Sequence, residues 1–397
     1  MDYSKYLNPA VADLPQSGIR KFFDLAGNIP DCISLGVGEP DFVTPWEIRD
    51  AAIKSIQSGR TQYTSNAGLL SLREEIAGYL LSRFDAEYDP KNEIIVTIGA
   101  SEAIDLALRT LVNLGDEVLI PSPSYVSYAP NAAITGGVAV PVETHADNGF
   151  VLTPDILEKA ITPRSKVLIL PYPNNPTGGI MTREQLEKIA GIVEKHDLFV
   201  ISDEIYAELT YGTRHASFAA IPGMKKRTVL INGFSKAFAM TGWRLGYFCA
   251  PEPVVKAAYK IHQYTIMCAP TASQVAGEAA LRSGREDEYR AVTEMRESYN
   301  IRRRFLLGKF NEMGLKTLEP KGAFYVFPSV ESTGLTGEQF AEGLLKSKKV
   351  AVVPGSAFGE SGKYFVRCSY ATSLTELKTA VARIKEYLAE IGTRNPK

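Results

Sequence analysis

Apolar and polar positions divide this chain into two stretches of different character. Between residues 93 and 250, short apolar runs alternate with longer amphipathic ones. Glu93–Ile98, Glu117–Pro121, Val138–Glu143, Lys166–Leu170, Leu198–Ile201, Val229–Ile231 and Leu245–Ala250 read as strands. Glu102–Leu114, Tyr125–Ala133, Pro154–Ala160 and Thr182–His196 read as helices, the last capped by Thr182 with Gln185. Strands that are apolar throughout and separated by helices predict an α/β domain, a mostly parallel seven-stranded sheet covered by helices on both faces.

The flanks follow a different pattern. Ser17–Phe23 reads as helical, and Ile33–Phe42 as a short strand and a glycine-rich turn. Thr44-Pro-Trp-Glu47 reads as a capping box opening a helix that puts Ile48, Ala51, Ala52 and Ile56 on one face. A loop, Gln62–Gly68, leads to a second helix at Leu70–Arg83. Beyond Pro251 long helical patterns cover Pro253–Gln263, Ala272–Ser283 and Glu286–Met313. A smaller α/β part follows, with strands at Ala323–Phe327, Val350–Val353 and Lys363–Ser369 and helices at Gly337–Lys346 and Ser373–Ile391. The expected organisation is an N-terminal arm with part of the small domain (1–43), a large domain (44–287) and a small C-terminal domain (288–397).

Composition narrows the function classes. A chain of 397 residues with 45% hydrophobic and 22% charged residues is globular and long enough for two cores. A net charge of −1 without a basic block gives no reason to expect nucleic acid or an anionic membrane as partner. No apolar run approaches the ~20 residues needed to span a bilayer, and the N-terminus lacks the basic and apolar regions of a secretory leader. A cytoplasmic protein is expected. The scattered cysteines (32, 249, 268, 368) and histidines (145, 196, 215, 262) suggest neither a disulfide framework nor a metal site.

In an open parallel sheet ligands gather at the carboxyl ends of the strands, so the polar residues there carry the chemistry. The first central strand ends in Gly99-Ala100-Ser101 and opens into a helix, whose free N–H groups favour a phosphate. Lys166–Leu170 ends in Pro171-Tyr-Pro-Asn-Asn-Pro-Thr-Gly178, where three prolines stiffen a loop expected to aim Asn174 and Asn175 at one place. Leu198–Ile201 ends in Ser202-Asp-Glu-Ile-Tyr206; Asp203 there needs a cation or a strong donor, and a pyridinium N–H is such a partner. Val229–Ile231 runs into Asn232-Gly-Phe-Ser-Lys236, with Arg244 eight residues on as a planar phosphate-binding fork. A lysine at a buried strand end is poorly solvated, which lowers its pKa as imine formation requires.

Together these strand ends resemble a class I/II, fold-type-I pyridoxal-phosphate aminotransferase, in the subgroup with bacterial aspartate, aromatic and N-acetyl-diaminopimelate aminotransferases. The resemblance covers nearly the whole chain. It rests on Asn174-Asn-Pro-Thr-Gly178, Ser202-Asp-Glu-Ile-Tyr206 and Ser235-Lys-Ala-Phe-Ala-Met-Thr-Gly-Trp-Arg244. It implies transfer of an amino group from an L-amino acid to a 2-oxo acid such as 2-oxoglutarate, by ping-pong kinetics, with pyridoxal 5′-phosphate as cofactor. Lys236 resembles the imine-forming lysine that also moves the substrate proton. Asp203 resembles the carboxylate that keeps the pyridine nitrogen protonated, and Asn175 and Tyr206 the donors to the ring's phenolate oxygen. Tyr125 falls where the family stacks an aromatic on the ring. Ala100, Ser101, Ser235 and Arg244 look like phosphate ligands, and Tyr63 like the tyrosine that reaches the phosphate of a neighbouring subunit in a homodimer. Arg367 resembles the arginine that grips the substrate carboxylate, with Gly38 beside it.

The sequence departs from many relatives at Gly233, where they carry a phosphate-binding serine. No second arginine for a distal substrate carboxylate stands out; Arg20, Arg49 and Arg109 qualify only by residue type. An alternative on the same fold is a pyridoxal-phosphate C–S β-lyase. A regulator would carry an added helix-turn-helix domain, for which the chain has no room. Gly36-Val-Gly38 lacks the third glycine of a dinucleotide fingerprint, which argues against a nicotinamide dehydrogenase.

Overall fold

The computed structural model describes residues 1–14, 18, 19, 27 and 29–394. Much of the expected helix at Ser17–Phe23, and Arg20 with it, lies outside them. In chain order the strands are β1 (Ile33–Ser34), β2 (Ile94–Thr97), β3 (Glu117–Ser122), β4 (Val138–Glu143), β5 (Ser165–Leu170), β6 (Phe199–Asp203), β7 (Thr228–Gly233), β8 (Gly246–Cys249), β9 (Tyr325–Val326), β10 (Val350–Ala351), β11 (Val353–Pro354) and β12 (Val366–Ser369).

Seven of them form one sheet in the order β2-β8-β7-β6-β5-β3-β4. Every pairing within it is parallel except those of β8, which runs antiparallel to both β2 and β7. The central strands are buried on both faces, as their uninterrupted apolar sequences require. Amphipathic helices cover them. Arg183–Lys195, for example, buries Leu186, Ile189, Ala190 and Val193 at helical spacing and is started by a reciprocal Thr182–Gln185 box. The carboxyl ends of β2, β7, β6, β5 and β3 therefore lie along one edge. Because β8 is reversed, its amino end joins that edge and brings Arg244 with it.

The C-terminal part holds an antiparallel sheet, β11-β12-β9, and a parallel pair, β1–β10. Helices Arg290–Glu312, Gly337–Lys348 and Leu374–Arg394 cover them around an apolar core that includes Leu35, Leu306, Phe310, Phe324, Phe340, Val350, Leu377 and Ile384. Tyr206, Leu209 and Tyr211, which follow β6, are buried in that same core.

Several expected features differ. The strand expected over Val350–Val353 is two, β10 and β11, in different sheets, and the helix expected from Tyr125 starts at Tyr128. The helix at Trp46–Gln57 has no side-chain cap. Thr44 instead donates its hydroxyl to the Ala239 carbonyl at 2.6 Å and accepts from the Trp243 indole at 3.1 Å, so a long-range contact outcompetes the capping box. The helix expected over Glu286–Met313 starts four residues late, at Arg290. One helix ends at Glu286 and the next begins at Arg290, with Glu288 and Tyr289 both left-handed at φ 57°. The Tyr289 ring fills the space over Gly284, where a Cβ would come within 2.4 Å of it.

Candidate active site

The sheet edge opens into a cavity of about 370 Å³ whose lining includes Gly38, Ala100, Ser101, Tyr125, Asn175, Asp203, Tyr206, Ser235, Lys236, Arg244 and Arg367. Of the site residues that the resemblance implies, all but Tyr63 are in this lining. Tyr63 stands 78% exposed on the surface. Arg109 is paired with Asp105 on an exposed helix face, and the Arg49 guanidinium lies over Trp46; neither lines the cavity.

Lys236 follows β7, and its Nζ donates to the Gly38 carbonyl at 2.6 Å. Burial lowers its ammonium from the ordinary value to about 8, with the positive charges of Arg367 and Arg244 acting in the same direction. Glu39 and Asp203 oppose the shift. Across the floor sits Asp203 at the end of β6, 5% exposed. Its Oδ2 accepts from the Tyr128 hydroxyl at 2.7 Å and its Oδ1 from the Ile205 amide at 3.2 Å. Burial raises its pKa and those two donors pull it back down. A carboxylate held this way still has lone pairs free for a cationic N–H, which suits a protonated ring nitrogen.

One end of the cavity is built from backbone. The helix Gly99–Leu111 starts directly after β2 and presents Ala100 and Ser101 to the cavity. Arg244 adopts a left-handed φ of 52°, its Nη1 donates to the Thr241 carbonyl at 2.9 Å, and its Nη2 lies so close to Gly99 that a Cβ there would stand 2.7 Å away. A helix N-terminus with a guanidinium against it is a dianion cradle. Gly233 has a packing reason. A Cβ there would meet Gly246 Cα and the Leu245 carbonyl, both at 2.9 Å, because β7 and β8 pair Gly233 with Gly246. Gly246 in turn leaves room for Gly99 and the Ala100 amide, within 2.7 Å of where its own Cβ would be. Two glycines stacked at the sheet edge let the cradle approach the lysine strand.

Arg367, on β12, is 2% exposed. Its Nη1 donates to Asn175 Oδ1 at 2.8 Å, its Nη2 donates to the Gly36 carbonyl, and its Nε has no partner. The guanidinium is held between the rings of Tyr325 and Phe358, 4.5 and 4.9 Å from their centroids. Among the described residues it forms no ion pair, so a buried cation faces the cavity with donors to spare. Asn174 does not join Asn175: its side chain accepts from the Thr177 amide and hydroxyl and locks the turn. The two neighbours diverge because Asn174 is satisfied locally and Asn175 across the site.

Tyr128 and Tyr325, which also line the cavity, are residues that sequence reasoning missed. Tyr128 had one available signal, its position three after Tyr125, which sets the two rings edge to face at 5.7 Å. Tyr325 had none, since only the pairing of β9 with β12 brings it here.

The group implied by these donors is a phosphorylated pyridine aldehyde. The cavity supplies an anion cradle, a buried carboxylate, a hydroxyl donor and a poorly solvated amine, so the residues present fit it. Comparison with known proteins agrees. The family model "Aminotransferase class I and II" matches residues 30–384. A putative aminotransferase, YugH, of Bacillus subtilis is 53% identical over 97% of this chain and 99% of its own length. Aromatic-amino-acid aminotransferase 2 of Thermococcus litoralis is 46% identical over 94% of this chain and 96% of its own. The solved structure of the Thermus thermophilus aspartate aminotransferase with maleate superposes with a TM-score of 0.90 at 38% identity, covering 96% of this chain and 99% of that one. The chain belongs to the class I and II aminotransferases, which are enzymes dependent on pyridoxal 5′-phosphate.

Proposed function

We propose that Lys236, Asp203, Tyr206, Asn175, Arg244 and Arg367 carry the transamination, with an aspartate, aromatic or related L-amino acid as donor and 2-oxoglutarate as acceptor in two half-reactions. Pyridoxal 5′-phosphate supplies an aldehyde that condenses with amines and a ring that accepts electron density from the substrate Cα. Ala100, Ser101, Ser235 and Arg244 hold its phosphate, and Tyr125 covers its ring. Asp203 keeps its ring nitrogen protonated, with Tyr128 fixing the carboxylate. Tyr206 and Asn175 donate to its ring oxygen. Arg367, steadied by Asn175 and Gly36, holds the substrate α-carboxylate and so fixes which Cα bond faces Lys236. Lys236 Nζ takes the Cα proton and would return it to the carbon derived from the aldehyde; an amine with a pKa of about 8 is suited to both steps near neutral pH.

The observation that carries this reading is the shared cavity itself, lined by a lysine of lowered pKa, a buried carboxylate and a buried guanidinium that forms no ion pair among the described residues. Lys236→Ala should abolish the visible absorption band of the loaded enzyme and lower turnover at least 10²- to 10⁴-fold, roughly what a general base contributes. Borohydride should fix the cofactor to the Lys236 peptide in the parent enzyme. Full turnover in the variant would show that another amine does the work.

The enzyme works as a homodimer in this reading, Tyr63 reaching the phosphate of the second copy. Exposed apolar side chains support it: Tyr63 at 78%, Val43 at 71%, Trp46 at 57% and Tyr264 at 86%. A cytoplasmic location agrees with the free state of all four cysteines. Mixing Tyr63 variants with Lys236 variants tests the dimer, since only a shared site can restore activity in the hybrid.

A further inference from the structure

We infer that Tyr325 is a positioning residue that joins the ring-oxygen donor Tyr206 to the carboxylate-holding Arg367; this rests on the roles proposed above for those two residues. Tyr325 is 1% exposed and touches three parts of the site. Its Oη lies 2.9 Å from Tyr206 Oη. Its ring lies 4.5 Å beneath the Arg367 guanidinium. A Cβ on Gly38, whose carbonyl accepts from Lys236, would stand 2.8 Å from the same Oη.

The placement follows from the small sheet. β9 and β12 pair Tyr325 with Ser369, so Arg367, two residues before Ser369, lies diagonally across on the same face. Phe324 and Tyr206 contact the Tyr325 ring edge to face at 4.8 and 6.0 Å and hold it in that plane. A phenol this buried needs a hydrogen-bond partner, and among the described residues Tyr206 is the one it has.

The proton count sets the direction. Each hydroxyl has one proton. When Tyr206 gives its proton to an oxygen in the cavity, it accepts from Tyr325. A hydroxyl that accepts is polarised into a better donor. Tyr325 thus strengthens the Tyr206 donor and steadies the flat face of the guanidinium with one side chain.

The test is Tyr325→Phe, which keeps the ring and removes only the hydroxyl, measured in the loaded enzyme. The pH midpoint of the visible absorption band should rise by about half to one pH unit, the effect of one weakened neutral hydrogen bond on a titrating group. Tyr206→Phe should raise the midpoint as well, and adding Tyr325→Phe to it should add nothing. Gly38→Ala, which presses a Cβ on the Tyr325 hydroxyl, should shift the midpoint in the same direction. A merely structural Tyr325 would lower the unfolding temperature and leave the midpoint within about 0.2 units of the parent; that result, with Tyr206→Phe shifted, overturns the inference alone. An unshifted Tyr206→Phe overturns the assignment of Tyr206 beneath it. Additive shifts in the double variant overturn the coupling.

Discussion

Replacing Arg367 by lysine keeps the charge and removes the fork. Of the guanidinium's five N–H donors, two are engaged by Asn175 Oδ1 and the Gly36 carbonyl, which leaves three for a carboxylate. A lysine ammonium in the same space offers one contact where the fork offers two. Losing one charge-assisted hydrogen bond costs about 1.5–3 kcal/mol, so kcat/KM for the amino donor should fall about 10- to 200-fold. The bond is made to the bound ground state as well as the transition state, so most of the loss should appear in KM. The assay is the half-reaction, following the visible band with an amino acid and with the amine that lacks its carboxylate. The parent should prefer the amino acid strongly, and Arg367→Lys should lose that preference by losing activity on the amino acid alone. If both substrates fell by the same factor, Arg367 would be a packing residue between Tyr325 and Phe358, and its assignment to the carboxylate would be refuted.

Three further outcomes follow from the site. In cofactor-free enzyme, the rate at which Lys236 captures pyridoxal phosphate should rise with pH through a midpoint near 8, because only the neutral amine reacts and burial favours that form; stopped-flow rates from pH 6 to 10 should level off above the midpoint, whereas rates still climbing steeply at pH 10 would mean that the pocket is wet. Gly233→Ser should lower thermal stability by roughly 1–3 kcal/mol without tightening cofactor binding, since its Cβ meets backbone at 2.9 Å; a serine that bound the phosphate would tighten it. Tyr128→Phe should weaken cofactor binding about 10-fold or more by removing a hydrogen bond to a charged carboxylate; an unchanged dissociation constant in equilibrium titration would leave Asp203 without need of it.

The positions of the strands were legible because burial on both faces leaves a continuous apolar run, and the residue after each run has to lie at the sheet edge. That is why Lys236, Asp203 and Ala100–Ser101 could be named from the sequence as candidates for one place. The helix at Arg183–Lys195 was legible for the same local reason, since its cap and buried stripe lie within 14 residues (182–195).

What the sequence by itself determined, then, were the features whose causes lie within a few residues: apolar period, cap, strand end and the reactive residue types. Tertiary structure decided the distant partners. Lys236 meets Gly38 across 198 residues, Asn175 meets Arg367 across 192, and Tyr206 meets Tyr325 across 119. Thr44 left its expected cap for Ala239 across 195. A hydrogen bond depends on separations of a few tenths of an ångström, and those are set only when the reversed strand β8 and the small antiparallel sheet have packed around the same cavity.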